Sequence, residues 1–398
     1  MEHFSRTANA RWIWAAAGGI AVLYVGSTLL TPLYPIYERA FGFDELVVTE
    51  IYAIYVVGNL AVLFFLGRLA DEIGRRPVVL VALAITIVSA ACFLAATATW
   101  WLFVARVLNG LGAGLGASAL TAWLAELEPS GDRVRAAAFA SAGNLLGLAL
   151  GAIGAGVLAR LAPWPLRLPF ALFICVLVVV MALLARAPET THGPGRATRA
   201  PSLRPRVGVP RGIRLAFVAP AAIAFTAFAL GGFYAALAPG LLSERLHETD
   251  AVAIGGIVAL FFAAGAITIV ATRMLSNRPA LFAASALLLG GLALLLAADA
   301  MRSMPLLIAA SAAAGASMAL GYRASLGIVN AIAPPERRAE VVSSYLLVCF
   351  GANALPVIGI GWLAKATSPA AAHATFAIVL ALLGIAARAI GVRYLPDE

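Results

Sequence analysis

Gly67-Arg-Leu-Ala-Asp71-Glu-Ile-Gly74-Arg75-Arg76 is the stretch that decides the fold. It gathers two glycines, two acids and three arginines within ten residues, and it is bounded by two runs that are almost wholly apolar, roughly 48–69 and 77–97. A helix needs about 20 mostly apolar residues to cross the hydrocarbon core of a bilayer. Each flanking run is long enough, so the charged decapeptide reads as a tight connection between two membrane spans.

The same pattern recurs along the whole chain. Apolar runs can be drawn at 12–34, 48–69, 77–97, 101–125, 135–159, 166–186, 214–239, 251–272, 279–298, 304–330, 341–364 and 370–391. Of the 398 residues 62% are hydrophobic and only 12% charged, a composition that places most of the chain in lipid. The first run is too long for the apolar region of a signal peptide and is read as a retained helix. With both termini cytoplasmic, 20 of the 28 basic residues fall on the inner side, 6 on the outer side, and Arg106 and Arg323 inside spans, as short inner loops rich in arginine require. The net charge of +9 is thereby explained by topology and dispersed over many loops, so no nucleic-acid partner is expected. Cys92, Cys175 and Cys349 all lie inside spans and suggest no disulfide framework.

Residues 188–212 interrupt the apolar rhythm with Pro188, Pro194, Pro201, Pro205 and Pro210 among several arginines, the composition of a solvated linker. Six spans lie on each side, which gives an N-terminal bundle over 1–187, a cytoplasmic linker over 188–212 and a C-terminal bundle over 213–398. An internal repeat supports the division: near an offset of 205, Gly110 matches Gly315, Leu115 matches Leu320, Gly116 matches Gly321 and Pro129 matches Pro334. A period of half the chain is the mark of parallel transporter repeats. The expected fold is therefore all-α and integral to the membrane, with twelve transmembrane helices in two pseudo-symmetric six-helix bundles.

Polar side chains are costly in hydrocarbon and should face the bundle interior or a wet cavity. Spans three, six, nine and twelve have few of them. Spans one, two, four, five, seven, ten and eleven carry Tyr24, Thr28, Tyr52, Tyr55, Asn59, Asn109, Asn144, Tyr234, Tyr322, Asn330, Tyr345 and Asn353, which are the cavity-lining candidates. Thr31-Pro-Leu-Tyr-Pro-Ile-Tyr37 closes span one, and Pro32 and Pro35 loosen that end by removing backbone donors.

The decapeptide resembles the signature of the major facilitator superfamily, Gly-x-Leu-Ala-Asp-x-x-Gly-Arg-Arg/Lys, at Gly67, Leu69, Ala70, Asp71, Gly74, Arg75 and Arg76. Physical reasons stand beside the match. Gly67 lets helices approach closely, Gly74 allows a tight reversal, and Arg75 and Arg76 hold the loop inside. Asp71 could meet the positive N-terminal end of span eleven. The resemblance implies that this acid latches the two halves on the cytoplasmic side when the outward-facing state forms. Glu72 departs from the family, where the position is often basic, so the charge relay around Asp71 falls to Arg68, Arg75 or Arg135.

Arg106, Gly110 and Gly112 are similar to the family's Arg-x-x-x-Gly-x-Gly pattern in span four. Arg106 either organises a carboxylate or water chain for proton coupling or snorkels toward Trp100 and Trp101. Gly143, Gly147 and Gly151 place three small residues on one face of span five. The series partly resembles the glycine-rich motif of drug/proton antiporters, with Leu148 where that motif has proline, and it reads equally as an ordinary helix contact. Arg323, inside span ten, is expensive unless paired or hydrated, and it marks a substrate or ion pathway or a structural ion pair. No acid occurs in span one. Glu50 and Glu126, near span ends, are the remaining coupling candidates.

Other classes fit poorly. The histidines lie in loops, tails or span ends, and neither H-E-x-x-H nor a nucleophile elbow stands on a suitable turn, so neither an enzyme nor a metal site is expected. The only lysine, Lys365, has no glycine before it, which excludes an ATP-binding P-loop. No cofactor is expected, and energy would come from a proton or other ion gradient. The reading is a monomeric secondary transporter of the bacterial cytoplasmic membrane with a small-molecule substrate. Export of amphipathic drugs or metabolites is favoured, uptake of an organic acid or other metabolite is the alternative, and an integral-membrane enzyme or a channel is the remote one.

Overall fold

The computed structural model describes residues 2–66, 69–128, 130–190 and 207–394, of which 2–10, 133 and 134 as backbone only. Gly67, Arg68, Pro129 and the linker residues 191–206 lie outside the described residues. The described residues form helices and short connections, with no strand. The helices are α1 (Glu2–Thr28), α2 (Tyr34–Phe41), α3 (Glu45–Ala61), α4 (Leu69–Ile73), α5 (Arg75–Leu94), α6 (Thr99–Leu127), α7 (Arg133–Leu161), α8 (Leu168–Leu184), α9 (Arg214–Ala236), α10 (Ala238–Gly240), α11 (Ala251–Ala271), α12 (Asn277–Met301), α13 (Met304–Ile332), α14 (Arg338–Ala366) and α15 (Pro369–Tyr394). Among the described residues, eleven continuous helical runs are long and apolar enough to cross a bilayer, and α8 is a shorter apolar helix of 17 residues. Together they account for the twelve expected spans.

Local chemistry sets the breaks. α1 stops at Thr28 and a 3₁₀ turn over Thr31–Leu33 leads into α2, because Pro32 and Pro35 withhold the backbone donors that a continuous helix needs. Asp44 begins α3 by accepting the Val47 N–H at 3.2 Å, and Asp250 begins α11 by accepting that of Val252 at 2.8 Å, the usual service of an acid at a helix start. Two π-helical segments, Val62–Leu66 and Leu241–Arg245, widen the backbone next to connections.

Contacts divide the chain into two compact units: Met1–Leu33 with Ile54–Pro205, and Tyr34–Ala53 with Arg206–Glu398. Residues 34–53 therefore pack in the second unit although they precede most of the first. In the first unit α1 lies against α7, α6 and α8, and α5 against α6 and α8. In the second, α9 lies against α14, α13 and α15, and α12 against α13 and α15. The glycines aligned by the sequence repeat occupy equivalent contacts. A Cβ on Gly110 would lie 2.0 Å from the Tyr55 carbonyl oxygen, and one on Gly315 would lie 1.9 Å from that of Phe261. Gly116 faces Leu23 and Ala82, while Gly321 faces Ile223 and Ala284. In lipid, helix association rests on such close packing, since burying apolar surface gains little there.

Candidate functional site

The quoted loop turns at Gly74, whose φ of 114° is a conformation that favours glycine. α5 starts immediately afterwards, and its first two N–H groups, of Arg75 and Arg76, donate to the two carboxylate oxygens of Glu189 at 3.0 Å each. A carboxylate at a helix N-terminus satisfies orphan donors and meets the positive end of the helix dipole. A side chain at position 74 would come within 2.8 Å of Glu189 Oε2, so glycine there serves both the turn and the anion.

Arg75 is the centre of the arrangement. Its Nη1 lies 2.5 Å from Asp71 Oδ1 and its Nη2 2.9 Å from Glu126 Oε1, with Nε donating to the same oxygen at 3.1 Å. The Arg75 side chain is 11% exposed, against 62% for Asp71 and 34% for Glu126. Thr190 donates its hydroxyl to Glu126 Oε2, Arg76 Nη1 donates to the Ala187 carbonyl at 3.4 Å, and Trp123 Nε1 donates to that of Pro188 at 3.1 Å. Of the arginines considered for Asp71, Arg75 holds it, Arg135 sits 3.7 Å from Glu128, and Arg68 is outside the described residues. Glu126, considered for coupling, is the second anion of this cluster. Glu128 caps the next connection, accepting the N–H and hydroxyl of Ser130 and the N–H of Asp132 at 2.7–2.8 Å. The Ser130 hydroxyl, above all, holds the Glu128 carboxyl below the usual range.

Deeper in the first unit, Gly143, Gly147 and Gly151 form a seam on α1. Added Cβ atoms would lie 3.0, 2.1 and 2.3 Å from the carbonyl oxygens of Ala17, Ala21 and Val25. Thr28 spans the same pair, donating its hydroxyl to the Leu148 carbonyl at 2.7 Å. Gly112 fits against Thr86 Oγ1, at 2.3 Å from an added Cβ. Arg106 is 0% exposed and donates from Nη1 to the Ser27 carbonyl at 2.8 Å, so it does not snorkel. The buried Ser27 Oγ and Asn109 Oδ1 beside it have no hydrogen-bond partner among the described residues. The space between Gly26, Ser89, Phe93, Asn109, Phe170 and Phe173 adjoins them and is too tight to admit a water molecule. Tyr24, Tyr55 and Asn144 are half-buried, and Asn59 is buried with its amide 3.5 Å from the Tyr55 carbonyl.

In the second unit, Tyr52 donates its hydroxyl to Asn353 Oδ1 at 3.1 Å, and Glu50 stands half-buried two residues earlier on α3. Tyr345 shares a 2.7 Å hydrogen bond with Ser325 and packs on Tyr322, whose other neighbour is Phe228. Tyr234 is buried and stacked on Phe261 at 4.2 Å. Asn330 is exposed and donates to the Leu326 carbonyl of its own helix. Arg323 reaches the Leu275 carbonyl at 3.1 Å in the connection between α11 and α12. Lys365 pairs with Asp44 at 3.0 Å, both more than half exposed.

The Lys365 hydrogen bond holds the Asp44 carboxyl below its ordinary range. Its contribution is present above the ordinary carboxylate value, near 3.9, and is lost as pH falls through the lowered value. At this exposure it amounts to about 0.5 kcal/mol. Lys365→Ala should therefore lower the melting temperature slightly near neutrality, with the gap to the parent closing on acidification. A gap that widens in acid would contradict the pairing.

Sequence reasoning missed Glu189 and Thr190, which close the Arg75 cluster from a point more than a hundred residues along the chain. An acid at 189, just before the proline-rich stretch, was the available signal. It also missed that His373 is buried.

The sequence model of the family described as Major Facilitator Superfamily matches residues 16–301. Over 183 residues, 45% of either chain, the protein is 25% identical to the quinolone resistance protein NorA of Staphylococcus aureus. Over 151 residues, 38% of this chain and 37% of the relative, it is 25% identical to multidrug resistance protein 2 of Bacillus subtilis (strain 168). The chain thus aligns with less than half the length of these curated relatives. Among solved structures, a crystal structure of a D-xylose-proton symporter superposes with a TM-score of 0.71, covering 100% of this chain and 99% of its own at 14% identity, which speaks for the fold.

Proposed function

The chain belongs to the major facilitator superfamily and is a multi-pass membrane transporter; from that premise we propose that it exports amphipathic drugs or metabolites across the bacterial cytoplasmic membrane in exchange for protons. The observation that carries the reading is the α1–α7 seam at Gly143, Gly147 and Gly151, which partly resembles the antiporter motif, with Leu148 in place of its proline, and has the close packing that such a motif provides. The two relatives named for quinolone and multidrug resistance point the same way. Buried and half-buried Tyr and Asn side chains beside apolar walls suit substrates that are mostly apolar with a few polar groups.

Alternating access requires contacts that break in turn. Residues 34–53 pack in the second unit, through Tyr52 on Asn353, Lys365 on Asp44, and Gly361 against Thr49. With both termini cytoplasmic these contacts lie at the outer side, and opening that side means separating them. Asp71 belongs to the inner side, where its exposed carboxylate is held by Arg75 and serves as the latch.

Asp71→Asn is expected to lower the transport rate several-fold while leaving equilibrium binding of substrate nearly intact, because the neutral amide keeps the shape but loses the charge. Weakened binding at an unchanged rate would remove the latch assignment. Purified protein in liposomes loaded with a quinolone tests the wider reading: export should saturate with concentration and follow an imposed pH gradient. Flux that is linear in concentration and indifferent to the gradient would refute it.

A further inference from the structure

His373, in the first turns of α15, is 3% exposed, and neither of its ring nitrogens has a hydrogen-bond partner among the described residues. Leaving a buried donor or acceptor unpaired costs about 1–3 kcal/mol, so such a group asks for a ligand. The ring stands edge-on to Phe233 at 5.5 Å, and Phe233 stacks on Phe376 one turn further along α15. This fixes the imidazole without satisfying it.

The charged groups acting on it come from two elements. Asp299, in the last turn of α12, is 7% exposed and pairs through Oδ1 with Arg245 Nε at 2.7 Å. Arg245 ends the π-helical segment Leu241–Arg245. Of the other helices packed on α15, α9 faces the ring with Phe233, and α14 carries at that end Lys365, which is engaged with Asp44. The π-helical segment in turn follows α10, where a Cβ on Gly240 would lie 3.2 Å from Glu45 Oε1. Asp299, Arg245, the segment Leu241–Arg245 and Gly240 thus form a series that runs from the end of α12 to the start of α3.

We propose that His373 is a proton-binding site whose counter-ion is Asp299. A hydronium ion from the water at this end, reaching the pair along the partly exposed Arg245, gives its proton to a free ring nitrogen: one O–H bond breaks, one N–H bond forms, and water is left behind. The new cation competes with Arg245 for Asp299. Arg245 is released, the segment 241–245 loses its anchor, and the contact of Gly240 with Glu45 loosens. The site deepens the proton-coupled reading above and rests on it for its use in transport, whereas the proton uptake stands by itself.

The test uses the full-length protein with ¹³C-labelled histidine in lipid nanodiscs. The ring signal that disappears in His373→Asn, or in His373→Gln should the first variant not fold, is expected to titrate within about pH 4–8, the range around an ordinary histidine. Its midpoint should move in Asp299→Asn. Hydrogen exchange over 241–249, corrected for the intrinsic pH dependence, should become several-fold faster on acidification in the parent and not in the His373 variant. A ring signal that stays flat over this range, a midpoint indifferent to Asp299→Asn, or exchange that responds to acid without His373 would overturn the site. Titration together with transport that ignores the pH gradient would uphold the site and remove the coupling reading instead.

Discussion

Gly147→Val is expected to be the most damaging single substitution in the first unit, lowering stability by about 3 kcal/mol, the upper end of the usual cost of overpacking. The first added carbon alone would sit 2.1 Å from the Ala21 carbonyl oxygen and 2.8 Å from its carbonyl carbon. Those atoms are backbone, so no rotamer change relieves the overlap. Nor can α1 tilt locally, because Gly143 and Gly151 hold it against α7 on either side. Gly154, on the same helix, has nothing within 4 Å of an added Cβ and is the internal control. Thermal unfolding of purified variants in one detergent decides the matter: Gly147→Val should melt far below the parent or fail to be recovered, and Gly154→Val should match it. Equal melting of all three would show that the seam is not tight.

Arg75→Ala should be nearly as costly, at about 2 kcal/mol. Removing one partner of a buried ion pair typically costs about 3–5 kcal/mol, and the lower figure applies here because Asp71 is 62% exposed and keeps most of its hydration. What remains is worse than a missing bond. Asp71 and Glu126, both engaged by one guanidinium in the parent, are left as neighbouring anions with nothing between them. This predicts a specific rescue: Glu126→Gln should destabilise the parent but recover part of the loss in the Arg75→Ala background. Lysine should rescue little, since one ammonium cannot reproduce the fork that serves two carboxylates. Arg76→Ala, which removes a single 3.4 Å contact to a carbonyl, should change stability by no more than about 0.5 kcal/mol. Equal losses at positions 75 and 76 would deny the hub.

The helices were legible because lipid imposes its own length and composition, which local residues must meet by themselves. The seam at Gly143, Gly147 and Gly151 was legible for a related reason: a four-residue spacing fixes one face of a helix whatever it touches. The repeat was legible too, and Gly110 and Gly315 turn out to meet backbone carbonyls in the same way. The Arg75 cluster was not, because its anions at 71, 126 and 189 come from three separate stretches and only folding brings them together. Arg106 was visible as an anomaly, but its carbonyl partner on Ser27 lies 79 residues away. His373 was passed over because its position near a span end suggested water, and its burial depends on how α9, α12 and α15 close around it.

The membership of residues 34–53 in the second unit bears on whether this protein could be divided. Tyr34, Tyr37, Leu46, Val48, Ile51 and Tyr52 are all buried, and they belong by contact to the unit that contains the C-terminal helices. A fragment ending in the linker would keep these six side chains and lose the surface that covers them. The first six spans therefore do not make a self-sufficient fragment: severed from the rest, they carry an uncovered apolar strip that only the missing part can shield.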